Sequence, residues 1–377
     1  MNVFSWNRFI AVLVKEFVQM RRDRLTFAMM VGIPVIQLVL FGFAINTDPK
    51  ALPTAVLAAD NSVFARSFVR AVENSGYFRV VREVSSEHEA ERALAVGEVQ
   101  FVLTIPENFA RKLVRGERPV LLLEADAADP AATSNALTAL VQLNQTALAR
   151  DLAGSLAHLQ NGAPPFEVRV HRRYNPEGVT QYNIVPGLIG VVLTMTMIMM
   201  TALAMTRERE RGTMENLLAT PVRPGEVMAG KIIPYIIVGY GQVAIILLAA
   251  KLLFGVPIVG SLVLLSVVLV LFMAANLAVG FTFSTLARNQ MQAMQMTFFF
   301  FLPSMLLSGF MFPFRGMPEW AQWLGEVLPL THFLRVVRGI LLKGNGTAEI
   351  LPDLWPIAAF LLLAAIIALK RYRETID

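Results

Sequence analysis

The chain has 377 residues, of which 55% are apolar and 16% are charged, and its net charge is +5. Soluble domains carry about 25% charged residues, so this composition indicates a membrane protein rather than a soluble one. The chain has no cysteine, which excludes a thiolate metal site, a redox motif and a disulfide framework.

The basic residues are concentrated outside residues 47–180. That segment holds 14 Lys and Arg with 16 Asp and Glu, whereas the rest of the chain holds 19 with 12. Lys and Arg accumulate on the cytoplasmic edges of membrane spans, and this bias explains the pattern better than nucleic-acid binding does. We therefore expect no nucleic-acid partner.

Residues 1–25 predict a cytoplasmic amphipathic helix that lies on the membrane, and residues 26–46 predict the first transmembrane helix. Phe4, Phe9 and Phe17 can share one face of that amphipathic helix. A signal peptide is the alternative, but its charged leader would be about 26 residues long and no small-residue cleavage site follows. The pattern favours a retained anchor.

Residues 47–180 alternate short strand-like and helical patterns, which predicts an inserted α/β domain. The strand-like runs are Ala55–Ala59, Tyr77–Arg82, Val99–Ile105, Val120–Leu123 and Phe166–His171. The helical patterns are Ser62–Asn74, Ser86–Val96, Pro106–Arg115 and a longer one over Pro130–Gln160. Ser86 and Glu89 have the spacing of a capping box. Because the first span starts from a basic cytoplasmic end, we expect the domain to be extracytoplasmic.

Residues 181–377 hold the five remaining predicted spans. They are Ile184–Met205, Ile232–Ala250, a fourth near Ile258–Thr285, a fifth near Met291–Phe312 and a short last one at Leu354–Leu369. Each of the first two is about 20 residues, enough to cross a hydrocarbon core of about 30 Å. The fourth and fifth must form a hairpin that turns at Arg288, Asn289 and Gln290. Six spans place both termini in the cytoplasm.

Residues 313–350 are apolar but are interrupted by Pro, Gly and aromatic residues, among them Pro313, Pro318 and Trp320. No uninterrupted piece is long enough to span a bilayer. The pattern therefore predicts interfacial or re-entrant helices at this point of the chain.

The segment 206–231 is a charged loop between two apolar spans, and its Arg and Lys content predicts a cytoplasmic location. Thr213 can cap a short helix that carries Met214, Leu217 and Leu218 on one face. Such a helix on a cytoplasmic loop can be bound by a soluble partner. A solvated loop whose charges only set the topology is the alternative that the residues leave open.

The same loop contains Gly225, Gly230 and Lys231 at the spacing of a nucleotide-binding P-loop. However, Ile232 replaces the Ser or Thr that would bind Mg²⁺, and no strand precedes Gly225. We therefore predict no nucleotide site in this segment and no cofactor in this chain.

No predicted span carries an ionisable side chain in its core, whereas ion-coupled transporters usually keep one there. This absence indicates that any transport energy comes from another polypeptide. Asn276, Gln242 and Gln295 are the notable polar groups within the spans, and we expect them to hydrogen-bond between helices. The four His residues show no metal-ligand spacing, and no nucleophile motif is present. The sequence predicts no catalytic site.

Several motifs together resemble those of ABC-2 type permeases, the membrane subunits of one class of ATP-binding-cassette exporters. They are KEFVQMRRDR at 15–24, ERERGTMENLLATPV at 208–222, GK at 230–231, LSGFMFPF at 307–314, MP at 317–318 and LPLTHFLRVVRGILLKG at 328–344. The resemblance covers almost the whole chain and includes the inserted domain. It is strongest to the drug-efflux and linearmycin-like subgroup.

The resemblance implies an α-helical polytopic membrane protein with six transmembrane helices, similar to ABC-2 or type V exporters, and an extracytoplasmic α/β domain. It implies a bacterial inner-membrane permease that exports drugs or other amphiphilic compounds. The chain would lack its own ATPase site, and ATP and Mg would be bound by a separate cytoplasmic ABC ATPase subunit. Other implied partners are a second copy or a paralogous permease, a periplasmic adaptor protein and membrane lipids.

The resemblance also implies roles for two sets of residues. The ATPase-coupling residues of the 206–231 loop would be Glu208, Glu210, Arg211, Gly212, Thr213 and Glu215. The residues of the N-terminal helix near the ATPase would be Lys15, Glu16, Arg21, Arg22 and Asp23. Residues 313–345 would match the re-entrant helices on the outer side. Two other functions remain open: extraction or export of a lipid or glycan, and a non-transport sensor or assembly platform.

Overall fold

The structure, a computed structural model, describes residues 48–160, 163–210 and 224–374. The predicted amphipathic helix at 1–25, the predicted span at 26–46 and residues 211–223 of the charged loop lie outside the described residues. Among the described residues, a five-stranded α/β domain is followed by a bundle of long apolar helices.

The α/β domain contains the five strands that the alternating pattern predicts. They are β1 Leu52–Ala58, β2 Phe78–Glu83, β3 Phe101–Ile105, β4 Val120–Asp126 and β5 Glu167–Arg173. The sheet order is β2-β1-β3-β4-β5, and all neighbours are parallel except the antiparallel pair β3 and β4. This order depends on pairing between distant segments and could not be predicted from the sequence.

The helices of the domain pack on this sheet. They are α1 Val63–Asn74, α2 Glu87–Val96, α3 Phe109–Val114 and α4 Pro130–Thr146. The single helix predicted over Pro130–Gln160 is wrong, because α4 ends at Thr146 and a separate 3₁₀ helix covers Gly154–Gln160. Gly154 has a φ of +74°, a left-handed conformation that an α-helix does not contain.

The predicted capping box at the start of α2 is half correct. The Ser86 hydroxyl accepts a hydrogen bond from Glu89 N at 3.2 Å, as predicted. The Glu89 carboxylate, however, accepts from Ser85 N at 3.0 Å rather than from the backbone of Ser86. Both bonds satisfy N–H groups at or near the helix start that would otherwise lack partners.

Among the residues that the structure describes, seven α-helices follow the domain. They are α5 Thr180–Glu210, α6 Pro224–Phe254, α7 Leu262–Leu286, α8 Gln290–Leu307, α9 Glu319–Val327, α10 Pro329–Arg338 and α11 Thr347–Glu374. Four of them, α5, α6, α7 and α11, are long and apolar enough to cross a membrane. The α7–α8 turn lies at the predicted position. The number of six spans stays a prediction.

The bundle of long helices has two ends. We call the end beside the α/β domain the domain end, and the end at which α5 finishes and α6 begins the loop end. At the domain end, Val185 of α5 and Ala250 of α6 pack with Ala128 of the α/β domain. At the loop end, Met205 of α5, Phe281 of α7 and Ala368 of α11 pack together.

The segment between α8 and α11 folds back into the domain end of the bundle. Phe333 of α10 stacks on Phe272 of α7 with the ring centroids 4.0 Å apart. Phe272 lies ten residues from Leu262, about 15 Å along α7 from its start. A π-helical turn at Gly339–Lys343 then leads to α11, which begins at Thr347, earlier than the predicted Leu354.

Only some polar residues of the bundle form the hydrogen bonds between helices that the sequence predicts. Gln242 does bond between helices, since its Oε1 accepts from the Thr196 hydroxyl of α5 at 3.0 Å. The expectation is wrong for the Asn276 amide, which donates within α7 to Phe272 O at 2.9 Å. The side-chain oxygens of Asn276 and Gln295 have no hydrogen-bond partner among the described residues.

Gly280 sets the close approach of α7 to α5. A Cβ at this position would lie 2.5 Å from the carbonyl oxygen of Ile198, a backbone atom that cannot rotate away. We expect Gly280→Ala to destabilise the bundle by about 1–3 kcal/mol through overpacking. Thermal unfolding in detergent measures the effect. Gly241→Ala is the matched control, because nothing lies within 4 Å of its added Cβ, and a melting temperature equal for both variants would contradict the packing argument.

Candidate functional site

At the loop end, the last turn of α5 is hydrogen-bonded to the α7–α8 turn. Glu210 accepts from Gln290 N at 2.8 Å and from Gln290 Nε2 at 2.5 Å. Arg207 Nε donates to Gln290 Oε1 at 3.4 Å. These three bonds connect the end of α5 to the α7–α8 turn, although α6 separates the two in the sequence.

The other predicted coupling residues are only partly described. Glu208 lies on the final turns of α5, whereas Arg211, Gly212, Thr213 and Glu215 lie outside the described residues. The predicted N-terminal set, Lys15, Glu16, Arg21, Arg22 and Asp23, also lies outside them. The coupling role of both sets stays a prediction.

The P-loop-like segment is helical in the structure. Its Gly225, Gly230 and Lys231 all lie within α6, which begins at Pro224. The backbone N–H groups at the start of a helix have no partner within the helix. The absence of a nucleotide site in this segment therefore stays a prediction.

At the domain end, a cavity of about 530 Å³ lies between the α/β domain and helices α9, α10 and α11. Its wall carries charged side chains of both signs. From the domain come Glu98, Asp126 and Asp129, and from the bundle come Arg315, Glu326, His332, Arg335, Arg338, Lys343, Glu349 and Asp353. A cavity of this volume is in the range of small-molecule sites, so this is the principal candidate site of the described residues.

One cluster in this wall joins three helices through His332 of α10. His332 Nδ1 lies 2.8 Å from Asp353 Oδ1 of α11, and its Nε2 lies 2.8 Å from Glu326 O of α9. Arg335 NH2 lies 2.5 Å from Glu326 Oε1, and its NH1 lies 3.3 Å from Asp353 Oδ1. Both partners of the His332 ring are acceptors, so the full set of bonds forms when both ring nitrogens carry a proton.

Three side chains of the segment 314–345 bind the α/β domain directly. Lys343 Nζ lies 2.5 Å from Asp126 Oδ2. Asn345 Nδ2 donates to Ala95 O at 2.9 Å, and Arg315 NH2 donates to Gly97 O at 2.8 Å. The segment 314–345 is therefore attached to the C-terminal end of α2 and the end of β4.

A second connection passes through Asn183 at the start of α5. Asn183 Nδ2 donates to Asp129 Oδ1 of the domain at 3.1 Å, and Asn183 O accepts from Arg338 Nε at 3.4 Å. Burial raises the pKa of the Asp129 carboxyl, although the charge of Arg338 opposes this shift. Burial lowers the pKa of the Arg338 guanidinium. Both shifts have the direction that loss of hydration gives to a charged group.

The sequence does not predict this charged cavity. In the sequence His332 is one of four scattered histidines, and residues 313–350 predict only interfacial or re-entrant helices. A signal was present, because His332, Arg335 and Arg338 recur at intervals of three residues on one predicted helix and therefore lie on the same side of it. Their partners come from distant segments and could not be read from this spacing.

The chain is similar to known proteins over most of its length. Residues 24–370 match the family described as ABC-2 family transporter protein. The chain is 31% identical to the Escherichia coli K12 protein named a multidrug ABC transporter permease, YbhS, over 91% of this chain and 90% of that protein. It is 27% identical to the similarly named YbhR of that strain, over 93% and 94%. It is 21% identical to the linearmycin resistance permease protein LnrN of Bacillus subtilis 168, over 92% and 94%.

Proposed function

Because this chain belongs to the ABC-2 family of transporter proteins, we propose that it is the permease subunit of an ATP-driven exporter. It exports drugs or other amphiphilic compounds across the bacterial inner membrane, powered by a separate cytoplasmic ABC ATPase that binds ATP and Mg. Two permeases, identical or paralogous, form the membrane part. The α/β domain lies outside the cytoplasm, where it can contact a periplasmic adaptor.

The connection between Glu210 and Gln290 is the observation that carries this proposal. It joins the end of α5, which leads into the 211–223 segment, to the hairpin of α7 and α8. A partner that moves the 211–223 segment would therefore displace three helices together. An exporter driven by an external ATPase needs such a rigid connection, because ATP-driven motion must reach the bundle from outside it.

The contacts at the domain end support the same function. The α/β domain is bonded to α5 through Asn183 and to the segment before α11 through Lys343 and Asn345. A motion of α5 would therefore change the cavity and the position of the domain together. This arrangement suits alternating exposure of a binding site better than it suits a static anchor.

Affinity purification from the native host in mild detergent tests the proposal. We expect an ABC ATPase to co-purify and its activity to rise when an exported amphiphile is added. Purification of the permease in a folded, monodisperse form without any ATPase would contradict the proposal and favour a membrane sensor or assembly platform. Stimulation by lipids or glycans but not by drugs would assign the complex to lipid or glycan export.

A further inference from the structure

The side chains around His332 join the start of α11 to the corner between α9 and α10. Asp353 Oδ1 of α11 lies 2.8 Å from His332 Nδ1 and 3.3 Å from Arg335 NH1. On the other side of the ring, His332 Nε2 lies 2.8 Å from the backbone oxygen of Glu326 and 3.4 Å from its Oε2. The His332 side chain is only 7% exposed, so these contacts rather than water satisfy its ring.

This cluster is complete only with one extra proton. A neutral imidazole has one N–H donor and one acceptor nitrogen, whereas both ring nitrogens of His332 face acceptor oxygens. The proton lies either on the ring or on Asp353, and the number of protons and bonds in the cluster is the same in both cases. The charges agree, because Glu326 and Asp353 carry two negative charges and Arg335 carries one positive charge. One shared proton therefore completes both the hydrogen bonds and the charge balance.

The other charged groups of the cavity wall bond to different partners. They are Arg315, Arg338, Lys343 and Glu349 of the bundle and Glu98, Asp126 and Asp129 of the domain. Of the remaining helices that pack on α10, α7 and α8 contain no ionisable residue, and α5 contains none from Ile184 to Thr206. Burial raises the pKa of the Asp129 carboxyl, but Asp129 bonds to Asn183 of α5 and not to the corner. A charge change at the corner near neutral pH is therefore assigned to the proton shared by His332 and Asp353.

The start of α11 has fewer backbone hydrogen bonds than an ordinary helix. Pro352 and Pro356 lie inside this helix, and each lacks the N–H group that would bond one turn back. Ile350 and Trp355 of the same stretch line the cavity. The side-chain bonds of Asp353 therefore supply part of the connection that the backbone lacks, and a movement of this stretch changes the shape of the cavity.

We propose that the proton shared by His332 and Asp353 is a switch that holds the start of α11 against the α9–α10 corner. When this proton leaves to solvent, one ring nitrogen faces an acceptor with no hydrogen between them, and the cluster retains one unbalanced negative charge. The start of α11 then moves away from the corner and widens the cavity. The switch does not depend on the exporter function, and only its exposure to the pH outside the cytoplasm rests on the location proposed for the α/β domain.

Distances between spin labels measure this movement in the purified full-length permease. The chain has no native cysteine, so Trp323→Cys on α9 and Leu351→Cys on α11 place labels only at two exposed positions. Raising the pH from about 5.5 to about 8 increases the neutral fraction of an ordinary imidazole about tenfold. We expect the population with the longer distance to increase at least about fivefold over this range. Distances that do not change with pH overturn the proposal.

Two variants assign the pH response to the shared proton. His332→Gln has no group that titrates near neutral pH, and Asp353→Asn removes the carboxylate that balances the extra proton. Each variant should give label distances that are the same at both pH values, and if one of them does not fold, the other decides. His88→Gln is the matched control, because His88 is an exposed histidine of α2, and it should respond to pH like the parent protein. A response that persists in a folded His332→Gln or Asp353→Asn protein contradicts the assignment.

A second label pair tests where the movement occurs. Leu363 is also exposed and lies 12 residues, about 18 Å, further along α11 than Leu351. Labels at Trp323→Cys and Leu363→Cys should keep their distance at both pH values, because both prolines precede Leu363. Equal changes in the two label pairs would show that α9 moves as a whole, which contradicts a movement confined to the start of α11.

The outcomes of the two proposals are separable. If no ATPase co-purifies with the permease but the His332-dependent response to pH persists, the exporter function fails and the switch stands. If the ATPase co-purifies and responds to drugs while the label distances do not change with pH, the switch fails and the exporter function stands.

Discussion

Replacing Lys343 by Met is expected to destabilise the protein by about 3–5 kcal/mol, the usual cost of removing one partner of a buried ion pair. Lys343 Nζ lies 2.5 Å from Asp126 Oδ2, and the two side chains are only 9% and 12% exposed. The substitution leaves the Asp126 carboxylate buried without its cation. Because the pair joins the α/β domain to the helical bundle, the domain should also separate more easily from the helices. Thermal unfolding in detergent and limited proteolysis measure the two effects.

Two further variants make this prediction specific. Adding Asp126→Asn to Lys343→Met removes the stranded charge and should recover much of the lost stability. Lys50→Met is the exposed control, because Lys50 and Asp48 lie 3.8 Å apart with side chains 60% and 41% exposed. Exposed pairs contribute about 0–1 kcal/mol. If Lys343→Met melts like Lys50→Met, the buried pair does not hold the domain.

Gly212→Pro and Glu215→Lys are expected to uncouple transport while leaving the protein in the membrane. Proline removes a backbone donor and fixes φ, and the second change reverses a charge on the surface proposed to meet the ATPase. We expect each variant to lower substrate-stimulated ATPase activity at least tenfold in reconstituted vesicles. The measurement compares ATPase rates with and without the transported compound, at equal amounts of inserted permease.

Glu107→Lys is the control for that experiment, because it places the same charge reversal on an exposed residue of the α/β domain. It should leave the stimulated ATPase activity unchanged. Normal stimulation in both Gly212→Pro and Glu215→Lys would remove the loop from the coupling pathway. The connection of Glu210 to Gln290 would then need another role.

The predicted strands and long helices agree well with the structure, because each of them depends mainly on residues that are close together in the sequence. The hydrophobic periodicity and the length of runs such as Val99–Ile105 and Ile184–Met205 are visible within about 20 residues. These two properties distinguish a strand from a helix long enough to cross a membrane. The single helix predicted over Pro130–Gln160 is wrong, because α4 ends at Thr146 and Gly154, in a left-handed conformation, begins a separate 3₁₀ helix. The start of α11 was placed too late because Pro352 and Pro356 are inside the helix rather than before it.

The candidate site was much less predictable. Glu208 and Glu210 are predicted as coupling residues from resemblance to a family, and the structure places both on the last turns of α5 rather than in a loop. The partner of Glu210, however, is Gln290, which is 80 residues away. Sequence periodicity cannot indicate that two residues so far apart in the chain are in contact.

The sequence by itself determined the class of protein, the order of its elements and the membership of a transporter family. It could do so because hydropathy, charge and motifs are properties of contiguous residues. Only the tertiary structure decided that Lys343 meets Asp126, 217 residues earlier, and that Arg315 and Arg338 share one cavity. Such pairings depend on how the sheet and the helices pack, because the free energy of a buried charge depends on neighbours that packing alone brings together.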